Sequence, residues 1–218
     1  MDNELEPPRP ASPESTQSLL QLFLMYQLRT FDRYSANVGF APDFDRHFRL
    51  AQSAGSAVDG LAAIAAQIEK NGSVPHYSKQ FEPSVDTYHG ATVARDWLEV
   101  VVKLYVGGSI ARDFFHDAGE ALPEEVRDTL RDALAKSDVE EFAAEEVRTA
   151  IAGDETASGR LSLWGRRIAG EALNLMQQVV SLDAALGELA VPDGDVAGLV
   201  KSLNRRHQER MKAVGLNN

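Results

Sequence analysis

Helical periodicity from about residue 16 onward is the feature that most limits how this chain can fold. Apolar residues recur every three or four positions, as Leu20, Phe23 and Leu24 do in the first segment. No stretch of alternating apolar and polar residues is long enough to predict a β-strand. The sequence therefore predicts an all-α protein.

Prolines and glycines divide this pattern into helices with short connections. Gly72, Gly153 and Gly215 each follow an apolar-periodic segment and predict helix ends. Long helices with short connections are typical of a helical bundle. The predicted helices span about residues 16–38, 43–71, 84–92, 94–119, 123–152, 158–189 and 194–214.

The first 15 residues differ from the rest of the chain. They contain four prolines and scattered acidic residues without apolar periodicity, which predicts a disordered tail over 1–15 and a helical domain over 16–218. This start lacks the basic and apolar regions of a signal peptide, and no apolar run approaches the ~20 residues of a membrane span. Together with the absence of cysteine, this predicts a cytoplasmic protein without membrane contact.

The charge balance disfavours nucleic acid as a partner. The formal net charge is -11, and a negative field repels phosphates. Lys201, Arg205 and Lys212 share one face of the last predicted helix and could still bind RNA or an acidic partner. A solvated face is the more common interpretation of such a charge run.

Three segments carry a resemblance to a known family: KLYVGGSIARDFF (103–115), EFAAEEVRTAI (141–151) and GRLSLWGRRIAGEAL (159–173). They resemble a ferritin-like family related to tRNA hydroxylases, and the resemblance covers roughly residues 17–215. Those enzymes use a di-iron site and oxygen to hydroxylate a methylthio-isopentenyl-adenosine. The resemblance implies a ferritin-like bundle of four core helices with additional C-terminal helices.

The di-iron ligands of that family are not retained in this chain. Such a site needs a Glu from each of two helices and a Glu-x-x-His from each of two others, yet no Glu here is followed three residues later by His. The resemblance therefore implies that the ligands are lost and that no cofactor is bound. Its six ligand positions fall on Gln27, Ala54, Ala57, Gly108, Lys136 and Val139.

Helical wheels place most of these positions in the interior. Gln27, Ala54, Ala57 and Gly108 lie on the apolar faces of their helices, where unneutralised carboxylates would be unfavourable. Lys136 is the exception, and we expect it to extend outward or to pair with Glu140.

A second polar site is conceivable around Asp113 and His116, which have ligand-like i,i+3 spacing, with Glu171 on a later helix. The alternative interpretations are a hydrogen-bonded Asp113–His116 pair beside Tyr105 and an ion pair between Glu171 and Arg167.

Three functions follow from these observations. The first is a degenerate, non-catalytic ferritin-like protein that acts as a binding partner, scaffold or heteromeric subunit. The second is an active di-iron tRNA hydroxylase-like oxygenase with a non-standard metal site. The third is a small-molecule binder that uses the space left by the lost ligands.

Overall fold

The structure, a computed structural model, describes residues 10–76, 78–136 and 139–217. These residues form ten α-helices and two 3₁₀ helices, without a β-strand, so the all-α prediction is confirmed for them. The α-helices are α1 (Pro13–Asn37), α2 (Phe44–Val58), α3 (Leu61–Lys70), α4 (Glu82–Ala91), α5 (Trp97–Gly119), α6 (Glu124–Ala135), α7 (Val139–Ile151), α8 (Glu155–Leu182), α9 (Ala184–Ala190) and α10 (Val196–Ala213). The 3₁₀ helices are Val38–Phe40 and Lys79–Phe81.

Helix α5 lies at the centre of the bundle and is apolar on nearly every side. It packs against α7 and α8 and also contacts α1, which in turn packs against α2 and α3. Its Val101, Val102 and Ile110 are fully buried. The four predicted core segments correspond to α1, α2–α3, α5 and α6–α7, and the predicted C-terminal helices correspond to α8–α10, of which α8 also packs closely against α5. This architecture confirms the predicted bundle.

The helix ends are set by local residues that the sequence already marks. Gly72, Gly153 and Gly215 follow α3, α7 and α10 with φ angles of 81°, 83° and 80°, as predicted for helix-ending glycines. At the other ends, aspartate side chains accept backbone N–H bonds, for example Asp43 from Arg46 and Asp96 from Glu99.

The first helix starts earlier than predicted. Ser12 caps α1 by accepting a hydrogen bond from the backbone N–H of Ser15, so Pro13 occupies the first helical turn. Ser15 and Thr16 are buried inside the helix. Residues 1–9 of the predicted disordered tail lie outside the described residues.

Three predicted helices are each divided in two. The segment 43–71 forms α2 and α3, which separate at Asp59–Gly60, and the segment 123–152 forms α6 and α7. The segment 158–189 forms α8 and α9, and Asp183 caps the start of α9. At Gly60, α6 packs so closely that a Cβ would lie only 2.7 Å from the Cβ of Ala133.

Candidate functional site

Four of the six positions that the resemblance assigns to lost ligands meet at one small cavity among α1, α2, α5, α6 and α7. Gln27, Ala57, Gly108 and Val139 line it, and its volume of about 30 Å³ has room for a water molecule but not for a larger ligand. Ala54 is also buried in this part of α2. The structure thus brings these helices together at the positions that the resemblance indicates.

The donor chemistry of this small cavity does not fit a di-iron centre. Glu140 is its one carboxylate among the described lining residues, and that carboxylate is paired with Arg112 at 2.8 Å and Arg210 at 3.3 Å. No histidine lines it in the same part of the chain, whereas the family's site uses four glutamates and two histidines. Lys136 extends outward, as one of its two interpretations predicts, and its Nζ donates to the carbonyl of Asp59 at 3.1 Å.

The alternative polar site of Asp113, His116 and Glu171 is not assembled. Arg210 donates two hydrogen bonds of 2.6 Å to the carboxylate of Asp113, and Nε of Arg206 lies 3.2 Å from it. His116 is exposed on the outer side of α5. Among the described residues, no group of three or more His, Asp or Glu side chains is arranged to hold a metal ion.

The local interpretations of these polar residues also need correction. Asp113 pairs with arginines of α10 and not with His116, although Tyr105 is close by and donates its hydroxyl to the carbonyl of Arg210 at 3.0 Å. Within the described ranges no ion pair joins Glu171 to Arg167, whose Nε donates to a backbone carbonyl at the end of α4.

A larger cavity, here called the main cavity, lies between α1, α4, α5 and α8. Its volume is about 120 Å³, and it shares Tyr26, Tyr34 and Gly108 with the small cavity. Most of its wall is apolar and buried, including Met25, Ile110, Phe114, Ala172, Met176 and Val179. Most of the empty volume inside the bundle therefore lies beside α4 and α8, and only a small part lies at the positions where lost ligands predicted it.

Four basic residues line the edge of the main cavity. Arg29 and Arg33 come from α1, His89 from α4 and Lys103 from α5, and all four are half-buried. No Asp or Glu of the described residues lines this cavity. The i,i+4 spacing of Arg29 and Arg33 is visible in the sequence, but the convergence of His89 and Lys103 on them depends on tertiary packing.

Burial and mutual repulsion shift the protonation of this basic edge. Burial, together with a smaller contribution from nearby Arg33, lowers the pKa of Lys103 to about 8. Burial lowers the pKa of His89 to about 3, with additional contributions from Lys103, Arg33 and Arg29. At neutral pH His89 is therefore a neutral imidazole beside three cations.

The basic side chains differ in how well the protein satisfies them. Arg29 lies 3.8 Å from the exposed Asp86, and Nζ of Lys103 donates to the carbonyl of Thr92 at 2.6 Å. Nε of Arg33 and Nδ1 of His89 are buried without a hydrogen-bond partner in the described structure. Nε of Arg33 is a donor, and Nδ1 of His89 donates in one tautomer and accepts in the other. These two unpartnered atoms point to a polar group that the described chain does not supply.

The basic face of α10 is solvated. Lys201, Arg205 and Lys212 are exposed, and Arg205 pairs with Glu209 one turn later at 3.1 Å. Nucleic-acid binding through this face stays a prediction, as does the cytoplasmic location. No helix in the described ranges is both long and apolar enough to cross a membrane.

Comparison with known proteins supports the architecture. The family model described as "Ferritin-like domain, actinomycetes" matches residues 14–193, which span α1 to the end of α9. A search of curated proteins finds no match. Because the matched segment covers most of the chain and contains all four core segments, the chain belongs to the ferritin-like domain family of actinomycetes.

Proposed function

We propose that this ferritin-like chain is a non-catalytic protein that binds a small molecule in its main cavity. The main cavity itself is the observation that carries the proposal: about 120 Å³ of mostly apolar space inside the bundle. An engineered apolar cavity of about 150 Å³ in another protein binds benzene, so the size suits a ligand of about six carbons. Of the positions assigned to lost ligands, Gly108 lines both cavities, whereas Gln27, Ala57 and Val139 line the small cavity and not the main one.

The non-catalytic part of the proposal rests on the available donors. A tRNA hydroxylase-like activity would need carboxylates and imidazoles that face one another across the core. Glu140, the carboxylate nearest the former ligand positions, is neutralised by Arg112, and Asp113 is neutralised by Arg206 and Arg210. The contacts of these carboxylates are those of structural ion pairs.

Metal analysis separates this proposal from the oxygenase alternative. The protein is purified from iron-supplemented cells, and its iron content is measured per chain. We expect far less than one iron per chain. Near-stoichiometric iron that is lost in Asp113→Ala or Glu171→Ala would overturn the non-catalytic proposal.

A neutral probe tests the binding part. We expect 1-hexanol to shift amide resonances of α1, α4, α5 and α8 in a saturable manner. Gly108 lines the main cavity, and a Cβ there would meet no atom within 4 Å, so Gly108→Leu should fill the space and abolish the shifts. Gly170→Leu is the matched control, because Gly170 is an exposed helical glycine with equally open surroundings. Absence of saturable binding by the wild type would overturn this part.

Self-association is a second candidate function, favoured by an exposed aromatic pair at the start of α2. Phe44 and Phe48 are 77% and 51% exposed, and their rings stack with centroids 5.9 Å apart. Exposed aromatic side chains are enriched at protein interfaces. Sedimentation velocity should then show a dimer that the double variant Phe44→Ser/Phe48→Ser converts to a monomer. A wild type that remains at the 23.8 kDa monomer mass at all concentrations would exclude it.

A further inference from the structure

Positive charge is concentrated at one place in an acidic protein. The chain has a net charge of -11, yet the cations Arg29, Arg33 and Lys103 converge beside the neutral His89 on the edge of the main cavity, without an acidic lining residue in the described ranges. Arg29 and Arg33 are like charges at i,i+4, a spacing that destabilises a helix. Arg33 and Lys103 are half-buried cations at this edge, so an anion beside them would stabilise the arrangement.

The hydrogen-bonding capacity of the basic edge leads to the same conclusion. Nε of Arg33 and Nδ1 of His89 are buried and lack a partner among the described residues. The ammonium group of Lys103 has three protons, and its described hydrogen bond to Thr92 uses one of them. An anionic oxygen at this edge could accept hydrogen bonds from Nε of Arg33 and Nζ of Lys103, and from His89 in the tautomer whose Nδ1 carries the proton. The bonds from Arg33 and Lys103 are charge-assisted and are stronger than those between neutral groups.

We propose that the main cavity binds a small amphipathic anion: an apolar body of about six carbons with a carboxylate or phosphate head. The body would lie among Met25, Ile110 and Phe114, and the head would lie at Arg33 and Lys103. This inference rests on the proposed function of the main cavity as a small-molecule site, and it adds the charge class of the ligand.

The state of Lys103 is consistent with this ligand class. Burial lowers its pKa to about 8, so at pH 7 the side chain is still largely a cation. An anion beside it would favour that charged form. A cationic ligand would instead meet Arg29, Arg33 and Lys103 at the same edge and be repelled.

A series of head groups on one six-carbon chain tests the ligand class. Dissociation constants at pH 7 are measured by NMR titration for hexanoate, hexyl phosphate, 1-hexanol and hexylammonium. We expect at least one of the two anions to bind about tenfold or more tightly than 1-hexanol, which corresponds to one added charge-assisted contact. Hexylammonium should bind most weakly.

The outcomes distinguish the inference from the proposed function. If 1-hexanol binds as tightly as both anions, the charge class is wrong while small-molecule binding stands. If none of the four probes binds, both fall.

Single substitutions then locate the head group. Arg33→Met keeps the apolar stem and removes the charge, so the tighter-binding anion should lose about tenfold in affinity while 1-hexanol is unaffected. Lys103→Met should act in the same direction, and thermal melts check that each variant folds. Arg205→Met on α10 is the matched control, because it changes the net charge equally at a site far from α1 in the sequence and outside the main-cavity lining. An equal loss in Arg33→Met and Arg205→Met would show that net charge alone is responsible and would overturn the proposal.

Discussion

Two adjacent glycines of α5 have opposite surroundings. A Cβ on Gly107 would collide with the hydroxyl of the buried Tyr88, whereas a Cβ on Gly108 would enter open space. We therefore expect Gly107→Ala to lower the free energy of unfolding by about 1–3 kcal/mol through overpacking. Gly108→Ala should raise it by up to about 1 kcal/mol, because alanine favours the helix. Urea unfolding measures both changes, and a shift of the same sign in the two variants would contradict this assignment.

Asp113 is a structural residue that joins α5 to α10. Its side chain is 10% exposed and forms a two-bond ion pair with Arg210. Asp113→Asn should lower the free energy of unfolding by roughly 1–3 kcal/mol, because it weakens the paired hydrogen bonds and leaves Arg210 and Arg206 with Glu140 and Asp117 as their remaining counter-charges. The control Asp86→Asn removes an exposed carboxylate 3.8 Å from Arg29 and should change stability by less than about 1 kcal/mol. Equally small losses in urea unfolding would rule out the structural role.

Local spacing predicts the surroundings of some of these residues correctly and the partners of others wrongly. The i,i+3 spacing of Asp113 and His116 suggested a ligand pair, but the partner of Asp113 is Arg210, 97 residues later in the chain. Helical periodicity shows which residues share a face of one helix, not which face of another helix they meet. For the same reason the sequence indicated that Gln27 and Gly108 face the interior, while the main cavity beside Gly108 was not predicted.

At the scale of elements, the sequence predicts where helices end by local chemistry and misses where they end by packing. Gly72 and Gly153 have positive φ angles and end their helices as predicted. The break at Asp59–Gly60 was missed because apolar periodicity continues across it from Ala54 to Ile64. The Asp59-Gly60 dipeptide is a local turn signal, whereas the close approach of α6 at Gly60 comes from tertiary packing.

The contact between Gly60 and Ala133 can be tested by a double-mutant cycle. Gly60→Ala should lower the free energy of unfolding by about 1–3 kcal/mol, because the new Cβ would lie 2.7 Å from that of Ala133. Ala133→Gly alone should cost up to about 1 kcal/mol in helix propensity. The double variant should be more stable than the sum of the two changes predicts, since the clash is removed. Strict additivity in urea unfolding would mean that residues 60 and 133 do not clash, and would contradict the close approach of α6 to Gly60.

At the scale of the whole molecule, average charge and local charge point to different partners. The net charge of -11 disfavours binding to polyanions over most of the surface. The basic edge of the main cavity is recessed between α1, α4 and α5, where it can act on a small ligand that enters the bundle. Composition could predict the first property, but only the packing of three helices reveals the second.

The neutral imidazole of His89 should make the whole bundle sensitive to acid. Burial lowers its pKa to about 3, whereas in the unfolded chain it takes up a proton below about 6.5. Since the unfolded state binds this proton first, stability contributed by His89 falls between pH 6.5 and 3, by about 2 kcal/mol at pH 5.

Comparison of two histidine variants isolates this contribution from the protonation of carboxylates. His89→Phe should lose about 2 kcal/mol less than the wild type when the pH is lowered from 7 to 5, as measured by urea unfolding at each pH. His47→Phe replaces an exposed histidine of α2 and should follow the wild type. If His89→Phe also follows the wild type, folding does not lower the pKa of His89. The folded protein then carries a charged imidazole at the edge of the main cavity at pH 5.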